Sequence, residues 1–162
     1  MELRIMSQAH NYALTLEWTG DLGTGTDHYR SYKRDHVIRI AGKPDLLGSA
    51  DPTFRGDPSR HNPEDLLVAA LSACHMMSYL HVCVMNGVVV TGYVDDATGS
   101  METFPDGSGR FTEVVLHPRI VVRDERMIEK ANELHHKAHE LCFIANSVNF
   151  PVRCEPRTIA AG

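Results

Sequence analysis

Cys74 and Cys142 each fall in an apolar, helix-patterned segment, with acidic and basic residues nearby in sequence. A free cysteine inside a helix is most often a small, inert hydrophobe. Two thiols on inward faces of different helices differ from that case, because packing the helices can bring the sulfurs within disulfide range. The chemistry open to such a pair is oxidation to a sulfenic acid, condensation to a disulfide and regeneration by thiol exchange. Cys83, near the end of the first helix, and Cys154, on a short strand, read as packing residues.

A thiol that attacks a peroxide bond must ionise, and an ordinary thiol of pKa ~8.5 is only a few per cent thiolate at neutral pH. Cys74 lies mid-helix, out of reach of the helix N-terminus, so a cation must come from elsewhere. Arg30, Arg34, Arg55 and Arg60, in the two polar segments before the helix, are the candidates. Glu64 could hold such an arginine, although an acid in the first turn of a helix is also explained by the helix dipole alone. Ten residues separate Glu64 from Cys74, about 15 Å along one straight helix. If both serve one site, Glu64 must reach it across a partner subunit, with two such helices packed antiparallel.

Ten histidines raise the question of metal. His135, His139 and Cys142 follow one another at i, i+4 and i+7, a workable zinc spacing. No fourth ligand stands near them, and the expectation is that no metal, flavin or haem is required. No C-x-x-C motif, phosphate-binding glycine loop or Ser/His/Asp set stands out.

The elements that must position these residues follow from pattern. Residues 12–18, 23–26 and 37–40 read as short strands, followed by a long glycine- and proline-rich loop at 42–61. Loops of that length in compact domains are often functional. Asn62 and Pro63 then open a helix that runs to about Asn86, with Gly87 as its stop signal. It is apolar nearly all round, which predicts burial on several sides and a role as the central helix. A strand from Val88 to about Met101 turns at 105–109 and returns as an alternating strand from Arg110 to Val122. A second helix from about Asp124 carries the stripe Met127, Ile128, Ala131, Leu134, Ala138, Leu141, Cys142, Ala145, and a short strand lies around 151–155. The order βββ-α-ββ-α-β predicts a single α+β domain spanning 1–162.

Composition narrows the function. The chain has 162 residues, 43% hydrophobic and 23% charged, with a net charge of −5. That charge disfavours a nucleic-acid surface. The N-terminus is too polar for a signal peptide, and the apolar runs read as too interrupted for a membrane span, so a soluble cytoplasmic protein with reduced thiols is expected.

The run His-Asn-Pro-Glu-Asp-Leu-Leu-Val-Ala-Ala-Leu-Ser-Ala-Cys at 61–74, with His-Glu-Leu-Cys-Phe-Ile-Ala-Asn-Ser-Val at 139–148, resembles the OsmC/Ohr family of hydroperoxide reductases. The likeness covers nearly the whole chain. It implies an OsmC-like α+β fold, with strands around a long buried central helix in an intertwined homodimer whose two active sites lie at the interface. By the resemblance, Cys74 is the peroxidatic cysteine, Cys142 the resolving one and Glu64 the acid that positions the catalytic arginine. OsmC-type relatives carry that arginine beside a phenylalanine shortly before Asn-Pro-Glu, where Phe54-Arg55-Gly56 is the nearest counterpart. Ohr-type relatives carry it after the first strand, where this chain has none until Arg30. Arg55 is therefore the first choice and Arg34 the second. The family often has proline after the resolving cysteine, and here Phe143 follows it. The implied function is reduction of organic hydroperoxides, and less efficiently hydrogen peroxide, with a lipoyl-type or other dithiol as reductant. The competing reading is a non-catalytic, stress-related dimer that binds a small apolar ligand at its interface.

Overall fold

The computed structural model describes residues 7–162, so the polar N-terminal hexapeptide lies outside the described residues. The chain divides into two compact units at Glu64/Asp65.

The first unit is built on a three-stranded antiparallel sheet, β1 (Thr15–Trp18), β2 (His36–Arg39) and β3 (Leu46–Gly48), in sequence order. The strand expected at 23–26 is a turn instead. The Asp21 carboxylate accepts the N–H groups of Gly23 and Gly25 at 2.8 and 2.9 Å, and both glycines have positive φ. Such side-chain bonding holds the backbone out of a ladder. The 42–61 segment is more ordered than a plain loop. It contains β3, and Ser49 N–H donates to the His61 carbonyl at 2.9 Å. Its centre is polar and buried: the Ser49 hydroxyl donates to Asp35 at 3.0 Å and accepts from Asp57 N–H at 3.0 Å.

The second unit carries most of helix α1 (Pro63–Met85) and all of helix α2 (Ile128–Leu141). Proline suits the first position of α1, where its missing N–H costs nothing. The helix ends as the glycine predicts. Gly87 has φ 70°, its N–H donates to the Val84 carbonyl, and Val88 N–H donates to the Cys83 carbonyl. These two bonds are the reciprocal pair of a Schellman motif.

The predicted long hairpin bends and splits between two sheets. Its outgoing arm forms β4 (Val90–Asp95) and β5 (Thr98–Thr103), and its return arm β6 (Gly109–Leu116) and β7 (Pro118–Val122). One sheet has the order β4-β7-β9 and the other β5-β6-β8, where β8 is Val152–Cys154 and β9 is Arg157–Ala160, a strand the sequence did not announce. The bend is fixed by Asp95, whose carboxylate accepts the His117 N–H at 2.7 Å and the Ser72 hydroxyl at 2.5 Å. Pro118, which has no N–H to give, opens β7 after the break.

The cores follow from these layers. Tyr79, Val82 and Cys83 of α1 pack with Ala131, Leu134 and Ala138 of α2 against Val88, Ile120 and Val122. Leu71, Val114 and Leu116 form a second cluster, with Phe111, Phe150 and Val152 at its margin. Within the single chain, helix α1 is fully buried along one face. Met77, Val84 and Met85 are 60%, 76% and 70% exposed. By length and apolar composition alone α1 could cross a membrane, contrary to the sequence expectation, but a core helix meets the same criterion. Leu71, His75, Tyr79, Val82 and Cys83 are buried within the protein.

Candidate active site

Cys74 is half-buried on α1, three turns beyond Pro63, where no backbone N–H is left free to reach its sulfur. Cys142 does not lie within α2, as the stripe predicted. The helix closes at Leu141, and Cys142 is its C-terminal cap residue, with extended backbone (φ −74°, ψ 106°) and its N–H bonded to the His139 carbonyl at 3.2 Å. Ala145, also assigned to the helix stripe, sits in a separate 3-10 turn, Ala145–Ser147. The helix end therefore presents Cys142 inward, 2% exposed, with the Cys74 thiol as its neighbour.

Burial pushes the Cys142 thiol up to about 11, the N–H groups of Ala145 and Ile144 favour its thiolate, and the neighbouring Cys74 opposes it. Two free thiols near enough to influence each other, one half-exposed and one buried, make a dithiol suited to closing as a disulfide.

The predicted arginines belong to the first unit, and two of them, Arg34 and Arg55, meet there over Tyr29. Arg34 stacks over Tyr29 and Tyr32 at 4.6 and 4.1 Å, and it donates to the Tyr32 and Tyr29 carbonyls at 2.7 and 3.1 Å. Arg55 is exposed, has φ 65° at the end of the turn Pro52–Phe54, and stands 5.5 Å over the Tyr29 ring. Arg60 instead joins Asp35 and Asp57, each at 3.8 Å. Glu64, partly buried, is the second residue of α1.

The profile of the OsmC-like protein family matches residues 56–157. The chain belongs to the OsmC-like family. A Vibrio cholerae OsmC-like protein of unknown function superposes with a TM-score of 0.80 at 32% identity, over 92% of this chain and 100% of that one. Organic hydroperoxide resistance proteins of Elizabethkingia anophelis and Legionella pneumophila share the fold, with TM-scores of 0.70 and 0.69 at 19% and 18% identity. Each covers 96% of this chain and 100% of its own. No curated protein matches. As an OsmC-like protein, the chain has the mixed α+β architecture expected, with two α-helices and three small sheets among the described residues.

The zinc spacing His135, His139, Cys142 does not form a cluster. Cys142 turns to Cys74, whereas His135 meets two residues that sequence reasoning left out, His75 and Cys154. His75 Nε2 lies 3.0 Å from His135 Nδ1, and Cys154 Sγ is 3.6 Å from each of these nitrogens. Both histidines are buried, and burial is the main reason they remain neutral, His75 falling to about 4 and His135 to about 3. Burial likewise lifts Cys154 to about 12. His75 was legible only as the neighbour of Cys74. Cys154, 79 residues further on, gave no signal.

Proposed function

We propose that this OsmC-like protein is a cysteine-based hydroperoxide reductase. The observation that carries the reading is the contact between Cys74 and Cys142. The Cys74 thiolate attacks the terminal oxygen of an organic hydroperoxide; the O–O bond breaks, and the leaving alkoxide takes a proton to become an alcohol. Cys74 is left as a sulfenic acid. The Cys142 sulfur then attacks it, a disulfide forms, and water leaves. A small dithiol supplies two electrons and two protons through a mixed disulfide and restores both thiols.

Cys74 is the half-exposed member of the pair, which suits the group that meets substrate, and buried Cys142 suits the group that only resolves. The thiolate needs a cation, and Arg55 serves best, because its guanidinium is exposed while that of Arg34 is tied to two carbonyls. Glu64 holds the arginine. The working unit is an intertwined homodimer in which Glu64 acts across the subunit interface. The exposed apolar side chains of α1, Met77, Val84 and Met85, support such a partner surface. The family resemblance of the Asn62-Pro63-Glu64 to Cys74 run supports the same assignment of roles.

The decisive experiment mixes reduced protein with one equivalent of cumene hydroperoxide and counts thiols. Loss of two thiols per chain, abolished by Cys74→Ser, is the expected result. Slow loss that does not depend on Cys74 would return the protein to the non-catalytic ligand-binding reading.

A further inference from the structure

The His75, His135 and Cys154 group is not used by the peroxidase chemistry, and it is poorly explained as packing. Three donor atoms converge: His75 Nε2, His135 Nδ1 and Cys154 Sγ, with edges of 3.0, 3.6 and 3.6 Å. One ring must donate its N–H to the other, which occupies the single nitrogen lone pair on that face. The thiol then has no free nitrogen acceptor, although its sulfur faces both rings.

We propose that His75, His135 and Cys154 form a zinc(II) site. A tetrahedral zinc with nitrogen at about 2.0–2.1 Å and thiolate at about 2.3 Å spaces its donors roughly 3.3–3.6 Å apart. The two sulfur edges fit as they stand, and the nitrogen edge opens slightly once its hydrogen bond is replaced. On binding, the thiol loses its proton, one ring moves its N–H from the inner to the outer nitrogen, and three lone pairs share one ion. The outer nitrogens, His75 Nδ1 and His135 Nε2, are buried without partners, so moving that N–H takes no hydrogen bond from them. Imidazole and thiolate are the ligand types zinc favours.

The surroundings suit a cation with an open fourth position. The thiolate cancels one of the two charges, and the Asp95 carboxylate, near enough to act on both His75 and Cys154, offsets the second. Tyr93, whose buried hydroxyl has no partner, is near enough to feel charge on Cys154. The Tyr79 ring lies parallel to His135 with centroids 3.9 Å apart and holds that ligand in place. Three protein ligands with water in the fourth position is the pattern of a reactive rather than a purely structural zinc.

The test uses the full chain carrying Cys74→Ser and Cys142→Ser, so that the redox pair cannot bind metal and failure of the peroxidase reading does not bear on the result. Reduced protein is titrated with cobalt(II), then with zinc(II) against a chromophoric chelator. One equivalent of cobalt should give a sulfur-to-metal charge-transfer band and tetrahedral d–d absorption, both displaced by zinc. Adding Cys154→Ala should remove the band and weaken zinc by more than the roughly 10–100-fold typical of losing an outer-shell partner. His135→Gln should weaken it as well. Circular dichroism and a cooperative melt establish that each variant is folded. If one is not, the rise in melting temperature that zinc produces in the wild-type chain, lost in Cys154→Ser, replaces it. Folded protein that takes up neither metal, or uptake unchanged by Cys154→Ala, overturns the zinc site.

Discussion

The Tyr79 hydroxyl donates to the Ala131 carbonyl at 3.0 Å, joining the middle of α1 to the first turn of α2. It also interacts with the Cys83 thiol, and its burial pushes the phenol's ionisation well above the ordinary range. Together with the His75–His135 contact at 3.0 Å, this hydroxyl registers the helix that carries Cys74 against the helix that closes just before Cys142.

Tyr79→Phe should therefore cost about 1 kcal/mol, the net worth of a buried neutral hydrogen bond, and lower the melting temperature by roughly 2–4 °C. Urea unfolding with an unchanged m-value checks this. A loss of less than a few tenths would mean that the Tyr79 hydroxyl does not help set the register of the helices.

The bend at Asp95 carries a larger expectation. Asp95→Ala removes the acceptor for both the His117 N–H and the Ser72 hydroxyl. Both donors are part-buried and two bonds are lost at about 0.5–1.5 kcal/mol each, so the variant should be less stable than Tyr79→Phe. Amide exchange at His117 should accelerate with it. Protection retained at that amide would show that the split between the two sheets does not depend on the carboxylate.

Disulfide closure should quicken as pH rises. Cys142 sits above the ordinary thiol range chiefly because it is buried, so its attacking thiolate is scarce at neutral pH and grows about tenfold with each pH unit below its pKa. After a single turnover with peroxide, the sulfenic form of Cys74 should disappear about a hundred times faster at pH 9 than at pH 7. Stopped-flow tryptophan fluorescence or trapping with a cyclic dione reads this step. A rate independent of pH would place the resolving sulfur elsewhere.

The two arginines should separate by phenotype. Arg55→Ala should slow peroxide attack by about 10²–10³-fold, the usual loss for one electrostatic stabiliser, with little change in stability. Arg34→Ala gives up two carbonyl bonds and two ring contacts, and should cost about 1–3 kcal/mol in stability with a smaller effect on the rate. Rates from pre-steady-state peroxide consumption, set beside urea midpoints, decide between them. Equal rate losses would remove Arg55 from its assigned role.

Both helices were legible because their signals are local: Pro63 at one end of α1, Gly87 at the other, and the Ala131, Leu134, Ala138 stripe of α2. The bend in the hairpin was not, because Asp95 acts on His117 and Ser72, residues 22 and 23 positions away. β3 and β9 span only three and four residues, too short for alternation to declare itself. In the site, Cys74 and Cys142 were found by residue type and by resemblance to a family. Cys154 was set aside as packing, because the partners that give it meaning lie 79 and 19 residues back along the chain.

The two sulfurs of the proposed redox pair have unequal mountings. Cys74 is held by hydrogen-bonded helix on both sides, whereas Cys142 stands at the last peptide of α2, where the backbone has already left the spiral. Closing the proposed crosslink would thus fall on the end of α2 rather than on its middle, where Ala131, Leu134 and Ala138 are buried in the core. Oxidised and reduced forms would then share one interior, and a reductant would need access to a fraying tip, with no need for the domain to open.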